Sequence, residues 1–528
     1  MNRPRLAILI VAVVLIGGLA GYWVAHSAAR PAVEAASTDP LPPVPPRPRP
    51  DSPVREPKTE RGPGARFTED KEAIDSGAIA NQRSLTFASA EAMADFLKKI
   101  EGKGFAVLDR IDALNTLRVG FLSLDDLKAL LDGSEQLGMI FPAYIPGQGT
   151  VQDGAVGFGD QFLDWLGVDG DRSKYGSHVK VAVLDTGIAL LDLFAGGVRA
   201  TNYVELPSDL SLMNSHGTSV ASIIASQLGL APDAQLLDYR VANDNGVSNT
   251  FTLAKAVLDA VNNGANIINM SLGSRGFSLV LENALQVAYE SGVVVVVSTG
   301  NEGLDSVSYP ASSDYTVAVG AVEARGDHLD FSNSGAVSIV APGLALQSYD
   351  QNGDPVYFSG TSAAAPTVSA AIALVMTTFN VNAAEAWQLI SANANETGAP
   401  GYDADNGEGI LNVGRTLDSK TSGITDLAVA SNYVTTDSQG NPVVQVTVEN
   451  RGTTPVTNAP VSVTTPAGTS QASASYLGPG DIKTFTFPVG ANDGNYAIQS
   501  SIAVSVGIVD SNPQDNQRVD SFASSPSP

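Results

Sequence analysis

The sequence predicts an α/β protein with a central, doubly wound and mostly parallel sheet, a small α+β unit before it and an all-β unit after it. Short apolar segments alternate with helical segments between residues 178 and 418, as in parallel sheets covered by helices on both faces. Residues 84–145 show strand and helix signals in the order βαββαβ. After residue 427, polar and apolar residues alternate in short segments rich in Val and Thr.

The composition excludes several classes of protein. The chain has 528 residues, 43 % of them hydrophobic, so it is long enough for several domains and too apolar to be disordered throughout. The absence of cysteine excludes disulfide scaffolds, thiolate metal sites and a cysteine nucleophile. The formal net charge is −25, and because a strongly acidic surface repels phosphates, we expect no nucleic acid partner.

The N-terminal segment predicts export. Residues 1–5 are basic and are expected to stay in the cytoplasm, while residues 6–25 are uncharged and about as long as a bilayer-spanning helix. The apolar segment is either a retained transmembrane anchor or a cleaved signal peptide. Residues 26–80 are rich in proline and predict an extended linker. The remaining chain would then lie outside the cytoplasm, anchored in the cell envelope or secreted.

Residues 81–147 are predicted to form the α+β unit. Ser89 is the predicted N-cap of a first helix that ends near Ile100, and Ser123 is the predicted N-cap of a second. Strands before, between and after the two helices complete a ferredoxin-like pattern. This pattern alone implies no function.

Five apolar segments predict the strands of the central sheet, and polar residues stand where several of them end. Asp185 ends the first strand, Ser271-Leu272-Gly273 follows the third, and Asn301 follows the fourth. Ligands of such sheets bind beyond the carboxyl ends of the strands. The five segments are Val179–Leu184, Gln235–Val241, Asn266–Met270, Val293–Ser298 and Tyr315–Val319.

Two apolar helical segments open with an imidazole and a hydroxyl, His216 and Ser362. A serine hydroxyl needs an adjacent base, imidazole can take and return the proton, and a carboxylate such as Asp185 can orient the imidazole. The oxyanion needs fixed donors, which the backbone N–H of Ser362 and the amide of Asn301 can supply. The sequence therefore predicts a hydrolytic Asp185–His216–Ser362 triad.

The motifs around these residues resemble those of the subtilisin-like serine proteases and follow in the order of that family. The resemblance spans about residues 150–418 and implies a serine endopeptidase that works through an acyl-enzyme. Ser362 would be the nucleophile, His216 the general base and acid, and Asp185 the orienting carboxylate, with Asn301 as oxyanion donor. The motifs are Val-Leu-Asp185-Thr-Gly, His216-Gly-Thr-Ser, Met-Ser271-Leu-Gly, Gly-Asn301-Glu-Gly and Gly-Thr-Ser362-Ala.

The same resemblance implies a substrate cleft and a zymogen. The backbone of Ser271-Leu272-Gly273 would bind peptide and protein substrates as an added β-strand, with Gly246 on the opposite rim. Residues 81–147 would be the propeptide, which inhibits its own enzyme until it is cut off. The cut would fall within residues 145–156.

The sequence departs from the family pattern at two short segments. Because the segment Ser226–Pro232 is short, a calcium loop is not expected there, so no cofactor is required and no metal-ligating residue is assigned. A structural calcium ion stays open, without support from the sequence. The segment between Gly303 and Tyr309 is short as well, so a substrate preference cannot be carried over from the family.

The motifs allow three other interpretations. An Asp-Thr-Gly motif also occurs in aspartic proteases, but their chemistry needs a second such aspartate, and this sequence has none. Serine–carboxyl proteases share the motif around Ser362 but replace the histidine that stands here as His216. The rival class is an adhesion or surface-binding protein on a catalytically silent protease scaffold, which would have little reason to keep the whole triad.

Residues 424–523 predict an antiparallel β-sandwich. Alternation of apolar and polar residues along Val444–Val448 marks one half-buried strand, and about seven such strands suggest an immunoglobulin-like fold. The sequence near this strand resembles bacterial cell-adhesion-related sandwich domains. We expect this unit to bind a substrate, surface or partner, or to stabilise the enzyme. Residues 524–528 predict a disordered tail.

Overall fold

The computed structural model describes residues 67–168, 170–204, 214–490, 495–504 and 508–522. The predicted cytoplasmic tip, the anchor, most of the linker and the C-terminal tail lie outside these residues. Within the described ranges, one helix is long and apolar enough to cross a membrane, and it is mostly buried inside the protein.

The first described unit contains a four-stranded antiparallel sheet covered by short helices. Its strands lie in the order β2-β3-β1-β4, as the predicted βαββαβ pattern requires. Ser89 accepts a hydrogen bond from the N–H of Ala92 at the start of α2, and Ser123 caps α3. The elements are α1 (Lys71–Ser76), β1 (Gln82–Thr86), α2 (Ala90–Ile100), β2 (Ala106–Ile111), β3 (Thr116–Gly120), α3 (Leu124–Lys128) and β4 (Gln136–Gly138).

Helix α1 differs from the prediction of a linker that extends to residue 80. The side chain of Asp70 accepts a hydrogen bond from the N–H of Ala73 at the helix start and is ion-paired with Arg83 of β1. Asp70 and Arg83 are both buried. This ion pair attaches the segment before β1 to the sheet. Releasing the segment would leave Arg83 as a buried, uncompensated charge, which is costly.

The central sheet has seven parallel strands in the order β14-β13-β12-β10-β6-β8-β7. All five predicted strands are present, and the structure adds β7 and β14 at the two edges. The strands are β6 (Lys180–Asp185), β7 (Val198–Asn202), β8 (Gln235–Arg240), β10 (Ile267–Met270), β12 (Val294–Ser298), β13 (Thr316–Val322) and β14 (Ile339–Pro342).

Helices cover both faces of this sheet. The long helix α8 is almost entirely buried and packs against α5 and against strands β10, β12, β13 and β14. Because α5 and α8 begin at the carboxyl edge of the sheet, their first residues face the ends of its strands. The helices are α4 (Phe162–Trp165), α5 (His216–Ala225), α6 (Thr250–Asn262), α7 (Leu279–Glu290), α8 (Thr361–Phe379), α9 (Ala383–Ser391) and α10 (Val413–Asp418).

Two smaller sheets lie beside the central one. A three-stranded antiparallel sheet has the order β11-β5-β9, and a hairpin joins β15 to β16. Strand β5 therefore connects the first unit to the α/β domain. The strands are β5 (Pro142–Tyr144), β9 (Val247–Asn249), β11 (Gly273–Ser274), β15 (Leu346–Tyr349) and β16 (Pro355–Phe358).

The C-terminal region forms two antiparallel sheets, β17-β18-β21 and β20-β19-β22-β23. Their apolar residues form a core separate from that of the α/β domain. The strands are β17 (Leu427–Thr436), β18 (Pro442–Asn450), β19 (Val456–Thr465), β20 (Gly468–Leu477), β21 (Ile482–Pro488), β22 (Tyr496–Ile502) and β23 (Gln517–Phe522).

Strand β18 is more deeply buried than the predicted alternation implies. Thr447 and Glu449 point away from the core of the two sheets but are buried as well. Glu449 is ion-paired with Arg415 of α10 and with Arg451, and it accepts a hydrogen bond from the N–H of Glu396 at 3.1 Å. The end of β18 at Glu449 is therefore in contact with the α/β domain.

Candidate active site

Asp185 and His216 meet at the carboxyl edge of the central sheet. Asp185 is the last residue of β6 and His216 is the first residue of α5. His216 Nδ1 lies 2.9 Å from Asp185 Oδ1 and 3.0 Å from Asp185 Oδ2. The carboxylate is fully buried, so it can fix the orientation of the imidazole and stabilise its charged form.

Thr186 holds the start of α5 against the end of β6. Its N–H donates to Asp185 Oδ1 at 2.7 Å, and its hydroxyl accepts from the N–H of Gly217 at 3.0 Å. The ring of His216 packs edge-on against Phe358, with 5.2 Å between the ring centroids. These contacts support the imidazole in its position beside Asp185.

Ser362 and Asn301 are joined through Thr361. Asn301 Oδ1 accepts hydrogen bonds from the backbone N–H of Thr361 at 2.9 Å and from its hydroxyl at 2.7 Å. Both oxygen lone pairs of the amide are thus used, and its Nδ2 is left to donate elsewhere. Ser362 follows directly in the first turn of α8, where backbone N–H groups lack helical acceptors.

The atoms of His216 and Ser362 that the predicted triad would use are buried and unpaired. Neither His216 Nε2 nor Ser362 Oγ has a hydrogen-bond partner among the described residues. The structure therefore brings Asp185 and His216 into contact but does not form the hydrogen bond between His216 and Ser362. A hydrogen bond between a base and a nucleophile is often long before reaction and shortens in the reacting complex.

Asn333 fixes the loop that carries Asn301, a role that the sequence analysis missed. Its Oδ1 accepts from the N–H groups of Glu302 and Leu304, and its Nδ2 donates to the carbonyl of Thr299 at 3.1 Å. Glu302 accepts a hydrogen bond from the same Nδ2.

Strand β5 lies extended between β9 and β11, at the segments where the sequence predicts substrate binding. In β5, Tyr144 pairs antiparallel with Gly273 of β11 on one side and with Val247 of β9 on the other. The N–H of Ile145 donates to the carbonyl of Gly246 at 3.0 Å. A peptide bound between two strands in this way is held by main-chain hydrogen bonds.

The strand leads to the amide of Asn301. Asn301 Nδ2 donates to the carbonyl oxygen of Gly147 at 2.8 Å. A donor at this distance from a carbonyl oxygen can stabilise negative charge that develops on it. The sequence did not single out Gly147, because its motifs placed the expected propeptide cut only within residues 145–156.

The four residues expected to bind substrate have different positions. Gly273 and Gly246 contact the bound strand directly. Ser271 and Leu272 are buried and lie outside its ladder, and Ser271 Oγ donates to the carbonyl of Ser362 at 3.3 Å. Ser271 therefore contacts the start of α8 rather than the strand.

A second buried carboxylate lies close to Asp185. Asp238 on β8 neighbours Val183 of β6, and its Oδ2 accepts from the N–H of Ile188 at 3.2 Å. Burial, together with the negative charge of Asp185, raises the pKa of Asp238 to about 7. Near neutral pH this group can gain or lose a proton beside the Asp185–His216 pair.

Among the described residues, the group that could hold a metal ion lies in the C-terminal region, just before β17 and between β22 and β23. One carboxylate oxygen from each of Asp426, Asp510 and Asp515 lies within 4.8 Å of the others. Burial and the charge of Asp515 raise the pKa of Asp426 to about 7. Arg451 donates to Asp515 at 2.9 Å and neutralises part of the charge. This cluster is not part of the Asp185–His216 site.

The seven-stranded parallel sheet, with Asp185, His216 and Ser362 at its carboxyl edge, defines the α/β fold of subtilisin-like serine proteases. Residues 176–409 match the subtilase family. Subtilisin DY of Bacillus licheniformis is 34 % identical over 250 residues, which cover 45 % of this chain and 90 % of that protein. Subtilisin Savinase of Lederbergia lenta is 40 % identical over 213 residues, which cover 39 % of this chain and 78 % of that protein. The chain belongs to the subtilase family.

A solved structure extends the similarity of the fold. It is that of a variant of the epidermin leader peptide processing serine protease from Staphylococcus aureus, with a TM-score of 0.56 and 21 % sequence identity. The superposition covers 65 % of this chain and 99 % of that one. At this identity the similarity concerns the fold alone.

Proposed function

We propose that the chain is an exported serine endopeptidase, made as a zymogen, that cuts peptide bonds through an acyl-enzyme. The observation that carries the proposal is the hydrogen bond from Asn301 Nδ2 to the carbonyl oxygen of Gly147. It puts a peptide carbonyl at the donor expected for an oxyanion, beside the first turn of α8. The Asp185–His216 pair supports the same assignment.

In the proposed mechanism, Ser362 Oγ attacks the carbonyl carbon of the substrate while His216 Nε2 takes its proton. The oxyanion is stabilised by Asn301 Nδ2 and by the backbone N–H of Ser362. His216 then gives the proton to the departing amine as the C–N bond breaks. Water attacks the acyl-enzyme, His216 takes its proton, and that proton returns to Ser362 Oγ as the acid is released.

The first substrate is proposed to be the chain itself, at the bond between Gly147 and Gln148. Residues 142–147 lie in the cleft as a substrate would, with their strand between β9 and β11. The α+β unit before them then acts as an intramolecular inhibitor. Lys255 of α6 is ion-paired with Asp109 of this unit, with 2.7 Å between Nζ and Oδ1, and this contact favours the inhibited state.

Export rests on the sequence alone. The basic residues 1–5 and the apolar residues 6–25 would direct the chain across a membrane, either as a retained anchor or as a cleaved signal. The α/β domain would then act on proteins and peptides outside the cytoplasm. No cofactor takes part in the proposed mechanism.

The test compares self-cleavage of the purified wild-type chain with that of Ser362→Ala. We expect the wild type to split into two pieces with a new N-terminus at Gln148, detected by intact mass and N-terminal sequencing, while Ser362→Ala stays whole. Ser511→Ala, which changes an exposed serine, is the matched control and should mature like the wild type. Equal maturation of Ser362→Ala would refute the proposal. A folded wild type that cuts neither itself nor added peptides would favour the silent adhesion scaffold.

A further inference from the structure

The segment after the proposed scissile bond passes over Phe331 so closely that only glycine fits. A β-carbon on Gly149 would lie 2.2 Å from both Cβ and Cγ of Phe331. Non-bonded carbon atoms normally stay about 3.5–4.0 Å apart. Because the clashing atoms are at the base of the phenylalanine side chain, a change of its rotamer cannot remove Cβ from the contact.

The restriction at Gly149 comes from Phe331 and not from the backbone. Gly149 does not have the positive φ that only glycine adopts easily. Gly147 gives the contrasting case, since a β-carbon there would meet no atom of the described residues within 4 Å. The position before the cut is therefore open to a side chain, while the second position after it is closed.

The segment after the proposed scissile bond and the side chain of Phe331 are both held in place. Gln152 Nε2 donates to the carbonyl of His328 at 3.1 Å, and Gln152 Oε1 accepts from the N–H of Asp330 at 3.3 Å. Phe331 is 4 % exposed and packs into the core of the α/β domain. Its carbonyl also accepts from the N–H of Gly303 at 2.8 Å, which joins it to the loop of Asn301. Phe331 therefore cannot withdraw without moving that loop.

We propose that Phe331 makes this cleft select peptides with glycine at the second residue after the cut. The substrates are then extended segments that vary in the residue before the cut and carry glycine two residues further on, as the chain's own Gly147-Gln148-Gly149 does. This inference rests on the proposed function, because it concerns the same cleft. Phe331 acts here as a specificity residue and takes no part in the chemistry.

The first experiment measures self-cleavage of two matched variants of the full chain. Gly149→Ala should split at least ~10-fold more slowly than the wild type, because one methyl group in a closed site commonly costs a factor of ~10–200. Gly147→Ala adds the same methyl group two residues earlier and should stay within ~3-fold of the wild-type rate. Equal rates for Gly149→Ala and the wild type, or equal slowing of both variants, would overturn the inference.

The second experiment avoids any effect of the substitutions on folding. Purified wild-type enzyme is given the peptide Ala-Tyr-Ile-Pro-Gly-Gln-Gly-Thr-Val or analogues with alanine in place of the first or the second glycine, and kcat/KM is measured by mass spectrometry. We expect a loss of at least ~10-fold for alanine at the second glycine only. Equal cutting of all three peptides would refute the selection for glycine but would not contradict the proposed protease function. Failure to cut any of them, with an intact full chain, would refute the proposed function and this inference with it.

Discussion

Replacing Asn301 by alanine tests the centre of the proposed mechanism. The substitution removes Nδ2, which donates to the carbonyl of Gly147 at 2.8 Å, and leaves Asp185, His216 and Ser362 unchanged. It also removes Oδ1, the acceptor for the N–H and the hydroxyl of Thr361. Two effects therefore have to be separated, one on the transition state and one on the stability of the fold.

The expected magnitudes of the two effects differ. Loss of one oxyanion donor costs ~10²–10³ in turnover, which corresponds to about 2.7–4 kcal/mol of activation free energy. The buried N–H of Thr361 loses its acceptor, which lowers the free energy of unfolding by about 1–3 kcal/mol. Strand β5 keeps its ladders with β9 and β11, so binding of the segment in the cleft should hardly change.

The assay is the first-order rate of self-cleavage of the purified full chain, with thermal unfolding of each sample measured in parallel. Asn301→Ala should split ~10²–10³-fold more slowly than the wild type at a temperature where both are folded. Asn352→Ala, which changes an exposed asparagine in the turn between β15 and β16, should behave like the wild type. A rate for folded Asn301→Ala within ~5-fold of the wild type would remove Asn301 from the oxyanion role.

Two further predictions concern stability. Glu449→Ala leaves Arg415 buried without its carboxylate and should lower the free energy of unfolding by about 3–5 kcal/mol, measured by denaturant titration against the exposed control Glu290→Ala; a change below about 1 kcal/mol would contradict it. Burial raises the pKa of Asp238 to about 7 in the folded chain, from an ordinary value of 3.8. Between these values the folded state holds a proton that the unfolded state has lost, so wild-type stability falls as the pH rises from about 4 to about 7. In thermal unfolding scans across that range, Asp238→Asn should lack this fall in stability. A variant whose pH profile equals that of the wild type would contradict the prediction.

The sequence predicted the parts of the fold that depend on local pattern. The five inner strands are short, mostly apolar segments. Asp185 stands where a strand ends and His216 where a helix begins, so their meeting follows from the parallel sheet. Strands β7 and β14 were missed because β7 has a mostly exposed edge pattern and β14 is short and ends in proline. Neither strand carries the signal of a buried inner strand.

The remaining features depend on contacts between distant parts of the chain. The match between Gly147 and Asn301 requires β5 to enter a sheet with β9 and β11, and no local pattern sets that register. The limit that Phe331 puts on Gly149 arises where two segments far apart in sequence approach each other. The burial of Glu449 depends on the docking of β18 against α10, whereas its sequence pattern alone predicts a solvated face.

The ion pair between Glu449 and Arg415 links the C-terminal sheets to the α/β domain independently of the backbone. Only residues 419–426 connect α10 to β17 along the backbone, but the two parts are also joined by charges shielded from water. Nicking of that connection by another enzyme would therefore leave the halves attached to each other. The ion pair would also keep the C-terminal sheets in a fixed orientation relative to the α/β domain, which a flexible connection alone would not do.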